Sequence, residues 1–283
     1  MSRSAADQVL AALRAQRSAL AAHEAGARRG TDPGELRQMR AAVRRLRATL
    51  RAAPTLFGTE LAPMTRELHW LSALLGGIRD LDVFRDYLRA ELPTLPTAES
   101  DAAVQVLAHL AAERGRAQRG VAEALASPRY SRLRKGLTKA LGRRPHRAGD
   151  DVSLVDAARR RFKKLRKAVA ALPAKPTDEQ LHAIRIRVKR ARYAAELVEA
   201  AAGRPARRFA RKAARLHDIL GEHQDAVVAE ARLRALAASR AGGLDRSALH
   251  RLIARQRRRR RAARAAFQDQ WPKLERRGRK AWD

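Results

Sequence analysis

Apolar residues recur along almost the whole chain at i, i+3, i+4 and i+7, the spacing of one helix face. No segment alternates convincingly as a strand. Pro and Gly fall at breaks between these runs, and the pattern predicts eight helices. The first covers roughly 4–28, and the second starts at Asp32-Pro33 with Asp as cap and Pro in the first turn. The third covers roughly 58–91, Leu92-Pro93-Thr94-Leu95-Pro96 is a loop, and the fourth covers roughly 98–126. A fifth, over roughly 151–171, ends at Leu172-Pro173. The sixth opens at Thr177 with Gln180 three residues on, a capping-box pattern. The seventh begins near Pro205 and the eighth near Asp245. This divides the chain into a four-helix half over 1–141, a linker over 142–150 and a second four-helix half over 151–283.

The two halves repeat at a fixed offset of 145 residues. Leu36-Arg37-Gln38-Met39-Arg40 returns as Leu181-His182-Ala183-Ile184-Arg185, and Leu75-Gly76 with Asp80 returns as Leu220-Gly221 with Asp225. Two separate matches at one offset argue for a duplicated unit, so the expected fold class is all-α, two pseudo-symmetric four-helix bundles.

On a helical wheel Leu36, Met39, Val43, Leu46 and Leu50 form one stripe, and Arg37, Arg40, Arg44 and Arg47 form a second beside it. The repeat shows the same geometry. Leu181, Ile184, Val188, Ala191, Ala195 and Val198 are flanked by His182, Arg185, Lys189 and Arg192. Each basic row spans ~15 Å of helix. A row that borders a buried stripe can line a groove between helices, and like charges at (i, i+4) repel until a polyanion lies along them. Arg66 and Arg211 are the best of the further repeat-matched basic pairs, which also include Arg114 with Arg259 and Arg119 with Arg264. Tyr193 borders the basic stripe as a hydroxyl donor, whereas Arg45 and Arg190 fall well away from it and should face water. Asp80, Asp82 and Asp225 either hold arginines in place or form ordinary interhelical ion pairs.

Composition sharpens this picture. Hydrophobic residues make up 45% of the chain but aromatics only 4%, which favours closely packed helices over sheets. Nothing approaches ~20 uninterrupted apolar residues, so no membrane span is expected, and the N-terminus does not read as a signal peptide. Without cysteines, disulfides and thiolate metal sites are excluded, and a cytoplasmic setting fits. The net charge is +33, and Arg outnumbers Lys about five to one. The partner should be strongly anionic: nucleic acid, an inorganic phosphate polymer or an anionic membrane surface. Arg presents a planar fork suited to phosphate oxygens. The eight histidines show no HExxH or other metal spacing, and no phosphate-binding loop or nucleophile–base order is visible. Neither a metal nor a cofactor is expected. The tryptophans Trp70, Trp271 and Trp282 are too scattered for a base-stacking platform.

His182-x-x-Arg185-Ile186-x-x-Lys189-Arg190-x-Arg192-Tyr193-x-x-Glu196 resembles the signature of the conserved histidine α-helical domain family, CHAD. Arg37-x-x-Arg40-x-x-x-Arg44-Arg45-Leu46-Arg47 resembles its partner motif in the first half. Gly77-Ile78-Arg79-Asp80-Leu81-Asp82-Val83 and Leu220-Gly221-Glu222-His223-Gln224-Asp225 look like the two motifs that follow. The resemblance covers nearly the whole chain and is to a stand-alone member. It departs from the family at Arg37, where a histidine is usual, and at Ala41, where a larger aliphatic is usual.

The resemblance implies two bundles around a basic central cavity that binds inorganic polyphosphate, often at polyphosphate granules, and the expected function is binding without catalysis. The residues expected to hold the polymer are Arg37, Arg40, Arg44, Arg47, His182, Arg185, Lys189 and Arg192, supported by Arg66, Arg211 and Tyr193. Two rival readings remain: a sequence-nonspecific nucleic-acid binder, and an enzyme of polyphosphate metabolism.

Overall fold

A computed structural model describes residues 5–52, 62–94, 97–142, 154–238 and 246–282. Among them the chain is helical nearly throughout, and none forms a strand. The helices are α1 (Ala5–Ala22), α2 (Glu24–Arg29), α3 (Pro33–Ala52), α4 (Ala62–Glu91), α5 (Thr97–Ala126), α6 (Pro128–Gly142), α7 (Leu154–Ala170), α8 (Asp178–Leu197), α9 (Glu199–Ala238) and α10 (Arg246–Trp282).

The boundaries follow local chemistry. At α3 the Asp32 carboxylate accepts from the Gly34 backbone N–H at 2.6 Å, and Pro33 supplies the fixed φ of a first turn. At α8 the Thr177 hydroxyl accepts from Gln180 N–H, while Gln180 Oε1 accepts from Thr177 N–H. That reciprocal pair satisfies two donors left open at the helix start. Gly203, at φ 66 and ψ −150, interrupts α9, and the regular helix resumes at about Pro205, where the break was expected. Gly30 ends α2 in the left-handed region at φ 73.

Two elements differ from expectation. The first predicted helix is two helices, parted at His23, whose Nδ1 lies 3.0 Å from Glu35 Oε2 on α3. The stretch after 126, for which the pattern predicts no helix, forms α6, which buries Tyr130, Leu133, Leu137 and Leu141 on one face. Residues 92–94 of the predicted loop form a single 3-10 turn. Leu95, Pro96, 143–150 of the linker and Asp245 lie outside the described residues.

Both predicted apolar stripes are buried, on α3 from Leu36 to Leu50 and from Leu181 on α8 to Val198 just past its end, and both belong to one continuous core. At the outer end of that core Phe162 meets Phe209 edge-on at 5.5 Å, and Phe209 meets Trp282 at 5.8 Å. Such contacts between aromatic rings add about 0.5–1.5 kcal/mol beyond burial. A second, smaller core joins Leu81, Phe84 and Leu88 of α4 to Val106 and Leu110 of α5, Leu233 of α9 and Leu252 of α10. Helices α3 and α8 pack together, as do α4 and α9, so residues from both ends of the chain share each core.

Candidate functional site

Between these two cores lies a cavity of about 490 Å³, bounded by α3, α4, α8, α9 and one side chain of α10. Its cations are Arg40 and Arg44 from α3, Arg79 from α4, Arg185 from α8 and Arg259 from α10. The amphipathic spacing accounts for this placement. Met39 and Val43 are wholly buried, so the residue following each, one step of ~100° around α3, emerges at the border of the core. Ile184 and Arg185 repeat that relation on α8.

The cavity cations are under electrostatic stress. Burial, then Arg44 and Arg79, lower Arg40 from its ordinary value to about 10. Burial also lowers Arg185, with Asp225 opposing. Lys189 is pushed down to about 8 by burial and by Arg44, Arg185, Arg47 and Arg40. Around the cavity and the space beside it, the Nε–H groups of Arg44, Arg47 and Arg185 are buried without an acceptor among the described residues. Protein interiors rarely tolerate that. Such donors are ready for an anion, because a charge-assisted hydrogen bond removes both the repulsion and the unmet donor.

Polar neighbours complete the wall. His182 Nδ1 lies 2.9 Å from Gln224 Oε1, which fixes the ring against α9. His217 is pushed down to about 3, by burial and then by Arg185, Arg192 and Lys189, so its ring is neutral near pH 7. Asp80, Asp218, Glu222 and Asp225 line the same cavity. Burial raises Asp225, against the pull of Arg79 and Arg185. Asp82, by contrast, points to Arg114 at 2.7 Å and Arg85 at 3.4 Å. His223 is buried with Nε2 3.2 Å from Asp178, away from the cavity. Among the described residues, no group of three or more His, Cys, Asp or Glu could hold a metal ion.

Arg44 also opens onto a narrow cleft of about 70 Å³ between α3 and α8. Arg47, Lys189 and Tyr193 line it, together with Arg51, Arg161 and Arg190. Arg47 donates to Ser72 Oγ at 2.9 Å. The structure thus gathers Arg40, Arg44, Arg47, His182, Arg185, Lys189 and Tyr193 around two adjoining spaces.

Four predicted positions stand apart. Arg37 is exposed, one turn before the cavity begins, and Arg66 is exposed on α4. Arg192 is held by Glu196 at 2.7 Å. Arg211 borders a separate space with Arg208, Lys212, Arg215 and Arg277. Arg79 and Arg259 were not singled out for the site, although Arg79 sits beside Asp80 in the quoted motif. Arg190, expected in water, is exposed yet borders the cleft.

Fold and site together define an all-helical domain built around a cavity rich in basic side chains. The chain belongs to the CHAD domain family, whose profile matches residues 11–234. An uncharacterised protein of Mycobacterium tuberculosis, found in two strains, is 35% identical over 218 residues. The match takes in 72% of this chain and 41% of that protein, so the chain spans about two fifths of its relative's length. Among solved structures, PptA from Streptomyces chartreusis superposes with a TM-score of 0.79 at 24% identity, covering 94% of this chain and 99% of that one. The CHAD domain from the plant Ricinus communis gives 0.75 at 25% identity, covering 95% and 91%.

Proposed function

We propose that this chain binds inorganic polyphosphate in the cavity bounded by α3, α4, α8 and α9, at its junction with the cleft between α3 and α8, without catalysing a reaction on it. The observation that carries this reading is the convergence of Arg40, Arg44, Arg185 and Lys189. Among the described residues none of these four makes an ion pair, and two of them bury an unpartnered Nε–H. Each charge-assisted hydrogen bond to a phosphoryl oxygen contributes about 1.5–3 kcal/mol. A flexible single chain of phosphates can enter such a space, whereas a rigid duplex meets it only at the rim.

Aromatic placement also favours phosphate over bases. Trp282 is packed in the core and Arg129 covers the Trp70 ring at 4.2 Å, so neither offers a free stacking face. Recruitment to polyphosphate granules would be the cellular consequence.

The test is titration with long-chain polyphosphate at about 150 mM salt, beside duplex DNA matched in phosphate concentration. Polyphosphate should bind much more tightly than DNA. The double variant Arg185→Glu, Lys189→Glu should lose this binding while its far-ultraviolet circular dichroism stays helical. Equal affinity for both polymers would reduce the interaction to net charge. Phosphate release dependent on Mg²⁺ would make the protein an enzyme.

A further inference from the structure

The cavity described above does not end blindly. Arg44 links it to the narrow cleft, and Arg161 with Arg190 links that cleft to an open basic face of about 470 Å³ between α7 and α8. Lys164 and Lys167 of α7 and Arg187 of α8 complete this face. The three spaces therefore lie in series and share cations at each junction.

The charge along this series is graded. Four carboxylates line the central cavity, whereas among the described residues no acid lines the cleft or the α7–α8 face. A polyanion is repelled by carboxylates and drawn to unopposed cations, so the path favours one direction. The offset-matched positions of the first half do not repeat this basic set. At the offset of 145 residues, Arg161, Lys164, Lys167 and Arg187 correspond to Gln16, Ala19, Ala22 and Ala42. Of this face only Arg190 has a basic counterpart, Arg45.

We infer that a polyphosphate chain longer than the central cavity leaves it on one side only, through the cleft and across the α7–α8 face, which makes that face a chain-length sensor. The inference rests on polyphosphate binding in the cavity.

Its test uses the double variant Lys164→Glu, Lys167→Glu, both exposed positions on α7. Tripolyphosphate and long-chain polyphosphate are titrated in parallel at fixed salt. The long chain should lose about tenfold or more in affinity and show a shallower salt dependence, whereas tripolyphosphate should stay within about twofold. Lys135→Glu, Lys139→Glu on α6, which lines none of the three spaces, makes the same change in net charge and should leave the preference for long chains intact. Unchanged long-chain affinity in the α7 variant would overturn the exit path. So would an equal loss for both ligands, or the same loss in the α6 variant. If the unaltered protein binds neither ligand, it is the cavity reading itself that fails.

Discussion

Lys189 shows what a single residue contributes to this site. It sits where α3 and α8 meet, among Arg40, Arg44, Arg47 and Arg185, and titrates near 8 because burial and those neighbours disfavour its charge. A bound polyanion supplies the missing counter-charge and raises that value again. Binding therefore takes up a proton wherever free Lys189 is already neutral. Polyphosphate affinity should be highest below about 8 and fall as pH rises through it, while the arginines stay charged. Lys189→Arg should abolish this dependence between about pH 7 and 9, read as Kd against pH. A pH-independent wild type would mean that Lys189 does not touch the ligand. The sequence showed which face of each helix was basic, because that angle depends only on spacing. It did not show where along the row a neighbouring helix closes over the charge, so Arg37 and Arg44 looked equivalent. Arg192 was separable in principle, since Glu196 stands four residues on, the distance of an (i, i+4) pair.

At the scale of elements, legibility depended on whether a boundary was local. The caps at Asp32 and Thr177 and the breaks at Pro173 and Pro205 are chemistry within a few residues, and the chain shows them directly. The parting of α1 from α2 at His23 involves a partner on α3, twelve residues away in sequence. Helix α6 carries a readable stripe, Tyr130, Leu133, Leu137 and Leu141, but five basic residues and the Ser127-Pro128 at its start obscure it. Glycine positions are equally opaque. A Cβ at Gly278 of α10 would run into the Phe162 ring of α7, whereas one at Gly120 in α5 meets nothing within 4 Å. The two substitutions should therefore act in opposite directions. Gly278→Ala should cost about 1–3 kcal/mol by overpacking, and Gly120→Ala should add about 0.4–1 kcal/mol by restricting the unfolded chain. Urea unfolding measures both, and equal effects would show that the α7–α10 contact yields more readily than its packing implies.

At the scale of the molecule, a net charge of +33 works against compactness. Some of it is neutralised internally: Glu230 is buried and holds Arg257 at 3.0 Å and Arg260 at 2.7 Å, and Asp178 reaches Arg260 at 2.7 Å. Among the described residues Lys189 makes no ion pair, and it shows how this bears on stability. The unfolded chain holds its lysine proton up to about 10.5, the folded protein only to about 8. Between those values the unfolded state binds more protons, so the free energy of unfolding rises with pH through this window. Lys189 thus makes the free protein most stable above the window, and that gain is lost as pH falls back through 8. Saturating polyphosphate should remove most of the difference, because the bound anion restores the proton in the folded state. At pH 7 and a ligand concentration of about a hundred times Kd, binding contributes about 2.7 kcal/mol, which raises Tm by about 4–5 °C for a chain of this size. Calorimetry across pH 7 to 10, with and without polyphosphate, measures both effects. A melting temperature that rises equally with sulfate and with polyphosphate would assign the stabilisation to general screening of charge. A rise confined to polyphosphate, lost in the variant Arg185→Glu, Lys189→Glu, would assign it to the cavity.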